Sequence, residues 1–481
     1  MTCQLPSDCF NEIFEYLEKD RLTLHSCLLV NRLWCELSVR ILWRNVWDFE
    51  SLWQQYPPSE KALSILNTLI ACLSSESKEL LYKSEIPVLT ITSKLPLFNY
   101  AAFCKILSIN YISKIIVYTL KDEPSRNHLI VEEIVKMFAN QICSLRKLSY
   151  YHDCHINLYF PYFPGLKDLS ELHCSSNLSS NFFYQLSQIC NNLHTLNIEF
   201  NHYNVSLDEL KSFISLQSNL KVLTLSANHA SWDDIIPALK NNSKTITKLC
   251  LYGNRTNLPF SFISLFSNLQ EFTLSFVDRD YVEDFKSLKY VSFSNLQTLK
   301  ILYKGPRTEY NIKFLETNGK NLKKIYFGVS NDKSIKLTIA NFCLNLRSLF
   351  VIFDRNELEI LKTIFNNCQH LESIKIWCGT RHLTEKEVFE TIANYSPNNF
   401  HELKIYNTSH SVVSLEDLES FFISWKNRIP KRLLYLIIIK YYFVSLDNYE
   451  KNMKLIEKYE NLGIIKLRTK KFEEERNEEG Y

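Results

Sequence analysis

The sequence predicts an α/β protein: a small N-terminal three-helix unit, then a solenoid of stacked strand–helix repeats, with parallel strands on the concave face and helices outside. Three observations carry this. A short apolar phrase recurs along most of the chain. Helix-start signals fall between its copies. Residues 5–47 instead show helical periodicity and a high aromatic content.

Residues 5–47 read LPSDCFNEIFEYLEKDRLTLHSCLLVNRLWCELSVRILWRNVW. Pro6 suits chain entry just before a helix, since it lacks an amide hydrogen and its φ is already near-helical. Ser7 is the expected N-cap. Phe10, Ile13, Phe14 and Leu17 follow at helical spacing and form one apolar face. Leu22, Leu24, Cys27 and Leu28 predict a second short helix, and Leu33, Trp34 and Leu37 a third. So small a unit buries little surface, and its apolar density points to a partner that covers part of it. The competing reading is that these side chains pack only the unit's own core.

This segment resembles an F-box. The resemblance rests on the Leu5-Pro6 opening, Ile13-Phe14-x-x-Leu17, Asp20-x-Leu22, Val30-x-Arg32-x-Trp34 and the closing Leu42-Trp43. It departs at Asn31, where the family often has Cys, and at Arg21-Leu22, where Asp-Leu is usual. The resemblance implies that residues 1–48 dock on a Skp1-like adaptor and through it on a cullin. It places Leu5, Pro6, Ile13, Phe14, Leu17, Val30 and Trp34 at that contact. An F-box followed by leucine-rich repeats is a common arrangement, which implies a substrate receptor of an SCF-type (Skp1–cullin–F-box) ubiquitin ligase. The alternative is a repeat scaffold whose F-box-like segment serves a non-ligase assembly.

Residues 49–84 read as a helical connector, with Pro57-Pro58 and then Leu63, Leu66, Leu69, Ile70 and Leu73 at helical spacing. The repeats occupy 85–468 and are clearest over 145–467. Their phrase is an apolar residue, two others, an apolar residue, one other, an apolar residue. Four consecutive copies add Asn three positions on: Leu169–Leu172–Cys174–Asn177, Leu193–Leu196–Ile198–Asn201, Leu220–Leu223–Leu225–Asn228 and Ile246–Leu249–Leu251–Asn254. Copies without the Asn start at Leu269, Leu296, Leu322, Leu346, Leu371, Phe400, Leu433 and Leu462, and an earlier one at Leu145. They recur about every 26 residues, within the roughly 20–29 of leucine-rich repeats. Alternation such as Leu223-Thr-Leu225 turns one strand face inward. In the resembling family the Asn hydrogen-bonds backbone groups at the turn, and that role is expected here. Weaker copies at Ile86–Leu89–Ile91 and Ile112–Ile115–Val117 are read as extending the array toward the N-terminus.

Between strands, Ser206 with Glu209, Ser231 with Asp234, Thr384 with Glu387 and Ser414 with Asp417 match a capping box or its Asp variant. A unit is therefore a strand plus a helix, and neighbours must stack to bury each other's apolar faces. The wider spacing from Leu371 to Phe400 and from Phe400 to Leu433 predicts longer helices or insertions.

The residues between the inward positions face the concavity. From Lys300 onward they become aromatics interleaved with lysines: Lys300, Tyr326, Phe350, Ile352, Lys375, Trp377, Lys404 and Tyr406. Exposed aromatics are typical interface anchors, and lysines beside them favour an acidic or phosphorylated segment. This strip is the expected binding site for an unidentified protein substrate, unless the C-terminal chain or an insertion folds over it. The tail, 469–481, reads as a charged, frayed terminus.

Composition narrows the function. The 481 residues carry 55 Lys and Arg against 52 Asp and Glu, a net charge of +3 that gives no global case for nucleic-acid binding. The eight glycines lie far apart, so no phosphate-cradling loop exists. The fourteen cysteines include no C-x-x-C pair, and no signal peptide opens the chain; both predict reduced thiols in the cytoplasm or nucleus. The apolar run Leu433–Ile439 is far short of the ~20 residues of a membrane span. His152-Asp153-Cys154-His155, with His173 and Cys174, is the densest group of metal-ligand types, but tetrahedral spacing is not evident. No catalytic residue, metal or cofactor is expected.

Overall fold

The computed structural model describes residues 6–47, 60–84, 96–120, 124–151, 158–201, 206–228, 230–254, 258–276, 283–303, 305–328, 332–441 and 443–479. Leu5, the phrase at Ile86–Leu89–Ile91 and the group His152–His155 lie outside them. Among the described residues, fourteen strands follow one another in chain order within the sheet. The chain divides into two compact units. One runs to Leu223 and includes Asp234–Asn242; the other holds Thr224–Asp233 and the chain from Ser243 onward.

The first unit opens with three helices, α1 (Ser7–Glu15), α2 (Arg21–Cys27) and α3 (Arg32–Leu42). Helices Glu60–Ala71 and Ser75–Lys83 follow in the connector region, where Leu66, Leu69, Ile70 and Leu73 are buried. Strands β1 (Ile106–Ser108), β2 (Lys147–Tyr150), β3 (Glu171–Ser175) and β4 (Thr195–Phe200) pair in parallel. Their register aligns Leu107, Leu148, Leu172 and Leu196, all fully buried. Each such side chain contributes roughly 1.5–3 kcal/mol by leaving water.

The expected repeat at Ile112–Ile115–Val117 is not a strand; these residues lie in the helix Ile109–Leu120. The buried set here is Ile112, Ile115 and Ile116, the i, i+3, i+4 spacing of a helix face, and its first step is shared with the strand phrase. The strand copy sits eight residues earlier, at Cys104–Leu107–Ile109, all buried. The three-helix unit joins this first strand directly. The carbonyl of Arg44 accepts from the amides of Lys105 and Ile106 at 2.9 and 3.0 Å, and the Trp47 indole donates to the Ile106 carbonyl at 2.7 Å.

Strand β5 (Val222–Ala227) spans the point where the chain passes from one unit to the other. The second unit continues with β6 (Lys248–Gly253), β7 (Glu271–Phe276), β8 (Thr298–Ile301), β9 (Lys324–Phe327) and β10 (Ser348–Val351). It ends with β11 (Ser373–Cys378), β12 (Glu402–Asn407), β13 (Leu434–Lys440) and β14 (Ile465–Lys471). From β6 to β14 every pair is parallel. Parallel neighbours need crossovers, which helices or 3₁₀ turns supply. Leu249, Phe272, Leu299, Ile325, Leu349, Ile374, Leu403 and Leu436 form one buried column. Period, parallel register and a helix or turn after each strand make this a leucine-rich-repeat architecture of the α/β class.

The last copy is shifted. Leu462 stands 56% exposed as the C-cap of helix Glu450–Asn461, and Gly463 takes a φ of +67° to end that helix. The strand therefore starts later, and Leu467 pairs with Leu436 where the sequence phrase would place Ile465.

The expected caps divide. Thr384 and Glu387 form a full capping box, and Ser414 accepts from the Asp417 amide at 3.0 Å. Ser206 and Ser231 instead accept from amides two residues on, Asp208 and Asp233. Helices Glu385–Tyr395 and Leu415–Lys426, of 11 and 12 residues, fill the wider spacings.

The repeat-end asparagines differ in their surroundings. Oδ1 of Asn177 is buried without a partner, Asn201 donates to Glu199, and Asn254 is exposed. A different set ties the turns of the second unit. Asn268 and Asn345, each one residue before a phrase leucine, donate to the carbonyls of Lys244 and Lys320, both at 2.8 Å. Deeper in, Asn318 donates to Val291 O and Asn367 to Ala340 O. These amides satisfy carbonyls that would otherwise be left unpaired at the turns. The recurring Asn-Leu step at 268–269, 295–296, 321–322 and 345–346 was the available signal.

The tail is ordered where a frayed end was expected. After β14 the chain forms a helix, Phe472–Glu479.

Candidate protein-interaction surfaces

In the three-helix unit, Phe14, Leu24, Cys27, Leu37 and Ile41 form a core, with Phe10, Leu17, Trp34 and Leu42 packed against it. The Trp34 ring meets Phe14 edge-on, centroids 5.4 Å apart. Short helices need caps. Asp20 caps α2 by accepting from Thr23 N at 3.1 Å, and Asn31 caps α3 by accepting from Trp34 N at 2.9 Å. The departure at Asn31 thus has a local reason. Arg44 pairs with Glu15 and holds its carboxyl below the usual range.

The residues expected at the adaptor contact separate by burial. Phe14 is only 2% exposed, so its side chain belongs to the core and is withdrawn from the surface. Leu17 and Trp34 are partly buried against that core. Pro6, Ile13 and Val30 are exposed. Tyr16, Leu22, Leu29 and Leu33 join them as large exposed apolar residues. Helical spacing held a signal for Leu22: two positions from the buried Leu24, it cannot share that face.

In the second unit the Lys–aromatic strip lies on the strand face opposite the buried column. The register places Lys300, Tyr326, Phe350, Lys375 and Lys404 side by side, with Trp377 next to Tyr406. Neighbouring strands bring the rings into contact: Tyr326–Phe350 at 4.4 Å, Phe350–Trp377 at 5.9 Å and Trp377–Tyr406 at 5.2 Å between centroids. The Lys375 ammonium lies 4.8 Å from the Phe350 ring centre. Leu302 and Ile352 complete this apolar cluster.

Exposure of these aromatics is corrected by the structure: Phe350 is 3% and Tyr406 9% exposed, and Tyr326 and Ile352 are buried too. Partly this is stacking across strands. Partly it is the C-terminal helix, which lies on this face. Phe472 packs between Tyr406 and Tyr441, at 5.1 and 4.9 Å. Glu475 is 1% exposed and pairs with Lys404 at 2.7 Å and Lys470 at 3.3 Å. Burial raises its pKa, but Lys404, with Lys375 and Lys470, brings the carboxyl net below its ordinary value. Arg476 donates to the Tyr303 hydroxyl. A charged tail gives little hint of this, because a long-range ion pair leaves no local pattern.

Among the described residues, no group of three His, Cys, Asp or Glu is placed to hold a metal ion, and no helix is long and apolar enough to cross a membrane. His173 and Cys174 point to opposite faces of β3: Cys174 is in the core, while His173 pairs with Glu171 at 2.7 Å.

The chain matches no family model and no curated protein. Solved structures similar to it include the Rad7–Elc1 complex of yeast, at 14% identity over 92% of this chain and 95% of that one, TM-score 0.38. The leucine-rich-repeat protein LegL7 of Legionella pneumophila is 17% identical over 62% of this chain and 87% of its own, TM-score 0.33. An internalin of Listeria monocytogenes is 15% identical over 63% and 78%, TM-score 0.33.

Proposed function

We propose that this chain is a non-catalytic substrate-recognition subunit of an SCF-type ubiquitin ligase. Its N-terminal helices dock on a Skp1-like adaptor and through it on a cullin, and its repeats hold a target protein. The chain's contribution is effective concentration and orientation, bringing the target near a conjugating enzyme carried elsewhere in the assembly.

One observation carries the reading. Ile13, Tyr16, Leu22, Leu29, Val30 and Leu33 are all exposed within a unit of three short helices. A dense set of exposed apolar side chains marks an interaction surface, and it coincides with the segment that resembles an F-box.

The test is capture of purified Skp1 by the whole chain, native and with Ile13→Asp plus Val30→Asp. Both positions are exposed, so the fold is expected to persist. Capture should fall at least about tenfold, as for truncation of interface anchors. Equal capture by native and variant chains, or none by the native chain, overturns the reading. Co-purification of a cullin separates a ligase subunit from a non-ligase scaffold.

A further inference from the structure

We propose that the β9–β13 face of the second unit is a docking site for an acidic helical segment of a partner protein, and that the chain's own C-terminal helix is its displaceable occupant. This deepens the reading above by naming the chemistry of the target segment, and depends on that reading only for the target's fate.

The occupant shows what the site selects. The helix reads FEEERNEE, an acidic segment with one aromatic at its start. Phe472 and Glu475, three residues apart and hence on one helix face, engage the site, and Arg476 adds a hydrogen bond to the Tyr303 hydroxyl. Phe472 extends the ring row that starts at Tyr326, and Glu475 meets the ammonium groups of Lys404 and Lys470. Buried charge is tolerated only when paired, so the lysines of this face demand a carboxylate. A segment of the chain's own tail provides it.

Two features make the occupant exchangeable. Eight residues are too few for a helix stable by itself, so this one forms by docking. The occupied site is also imperfect. The Trp377 indole nitrogen is buried without an acceptor, and a cleft of about 170 Å3 lined by Lys300, Lys375 and Lys404 stays open. A partner segment that places an acceptor at Trp377 or fills the cleft would bind better than the tail does.

The probe is a fluorescent peptide of residues 469–481, followed by anisotropy. Two opened forms are used: the chain ending at Lys471, and the full chain with Phe472→Ala and Glu475→Gln, which keeps the backbone whole should truncation fail to fold. Both should bind the peptide at least about tenfold more tightly than the native chain, and Glu475→Gln in the peptide should cost about tenfold, as loss of a charge-assisted hydrogen bond does. A second acidic peptide, unrelated except for the Phe-x-x-Glu spacing, should compete. No binding to either opened form, indifference to Glu475→Gln, or competition by the native tail alone overturns the proposal; the last makes the helix a structural cap only. Skp1 capture is measured on the same proteins. Its absence with peptide binding intact sinks the ligase reading and leaves this one standing.

Discussion

In the N-terminal unit, Ile13 and Val30 stand 48% and 56% exposed; on the outward strand face of the second unit, Phe350 and Tyr406 are nearly covered. Both places gather more apolar surface than their own element can bury. Three short helices spend their best apolar residues on one small core and have nothing left to cover the remainder. The repeats bring rings together across strands, and the eight-residue helix Phe472–Glu479 packs on them. Apolar side chains outside a local core thus fare differently by context: in one region they stay in solvent, and in the other a segment of the same chain is seated on them.

This contrast can be broken in order of effect. Phe14→Ala should destabilise the three-helix unit by about 3–5 kcal/mol, the cost of emptying an aromatic core site, whereas Ile13→Ala should stay within about 0.5 kcal/mol. Hydrogen exchange over Ser7–Leu42 reads both; equal effects would mean that Ile13 is core after all. Next, Phe350→Ala should cost more in the full chain than in the chain ending at Lys471, with a coupling of about 0.5–3 kcal/mol in a double-mutant cycle of urea unfolding. Zero coupling would mean that strand-to-strand stacking alone buries the strip.

The smallest effect is on pH. Glu475 has a folded pKa below its ordinary 4.5. A depressed carboxyl contributes stability that is complete above the unfolded value and is lost as pH falls through the folded one. Protection of the Phe472–Glu479 amides, corrected for intrinsic exchange, should therefore be level above about pH 5 and decline below 4.5. Glu475→Gln should remove the decline. A loss of protection between pH 6 and 7 instead would point to a histidine.

Much of the fold is legible in the chain. Leu-x-x-Leu-x-Leu at a steady period forces alternate residues into a core that only stacked neighbours can supply, and the observed register follows it from Leu148 to Leu436. Legibility fails where two structures share a pattern. The step from Ile112 to Ile115 is common to the strand phrase and to a helix face, and Leu462 satisfies the phrase while serving as a helix C-cap. Of the residues expected at an adaptor contact, Ile13 and Phe14 are adjacent and equally apolar, yet one is in solvent and the other in the core. Rotation of α1 against α3 makes that choice.

The strand positions from β2 to β13 and the two columns that each strand presents were written in the order of residues, because periodicity of two against periodicity of 3.6 is a local property that burial enforces. Which apolar side chains stay wet, and that Lys404 finds its carboxylate 71 positions away at Glu475, were settled only by the folded chain. Those outcomes depend on contacts between residues distant in sequence, and no short window of sequence contains both partners.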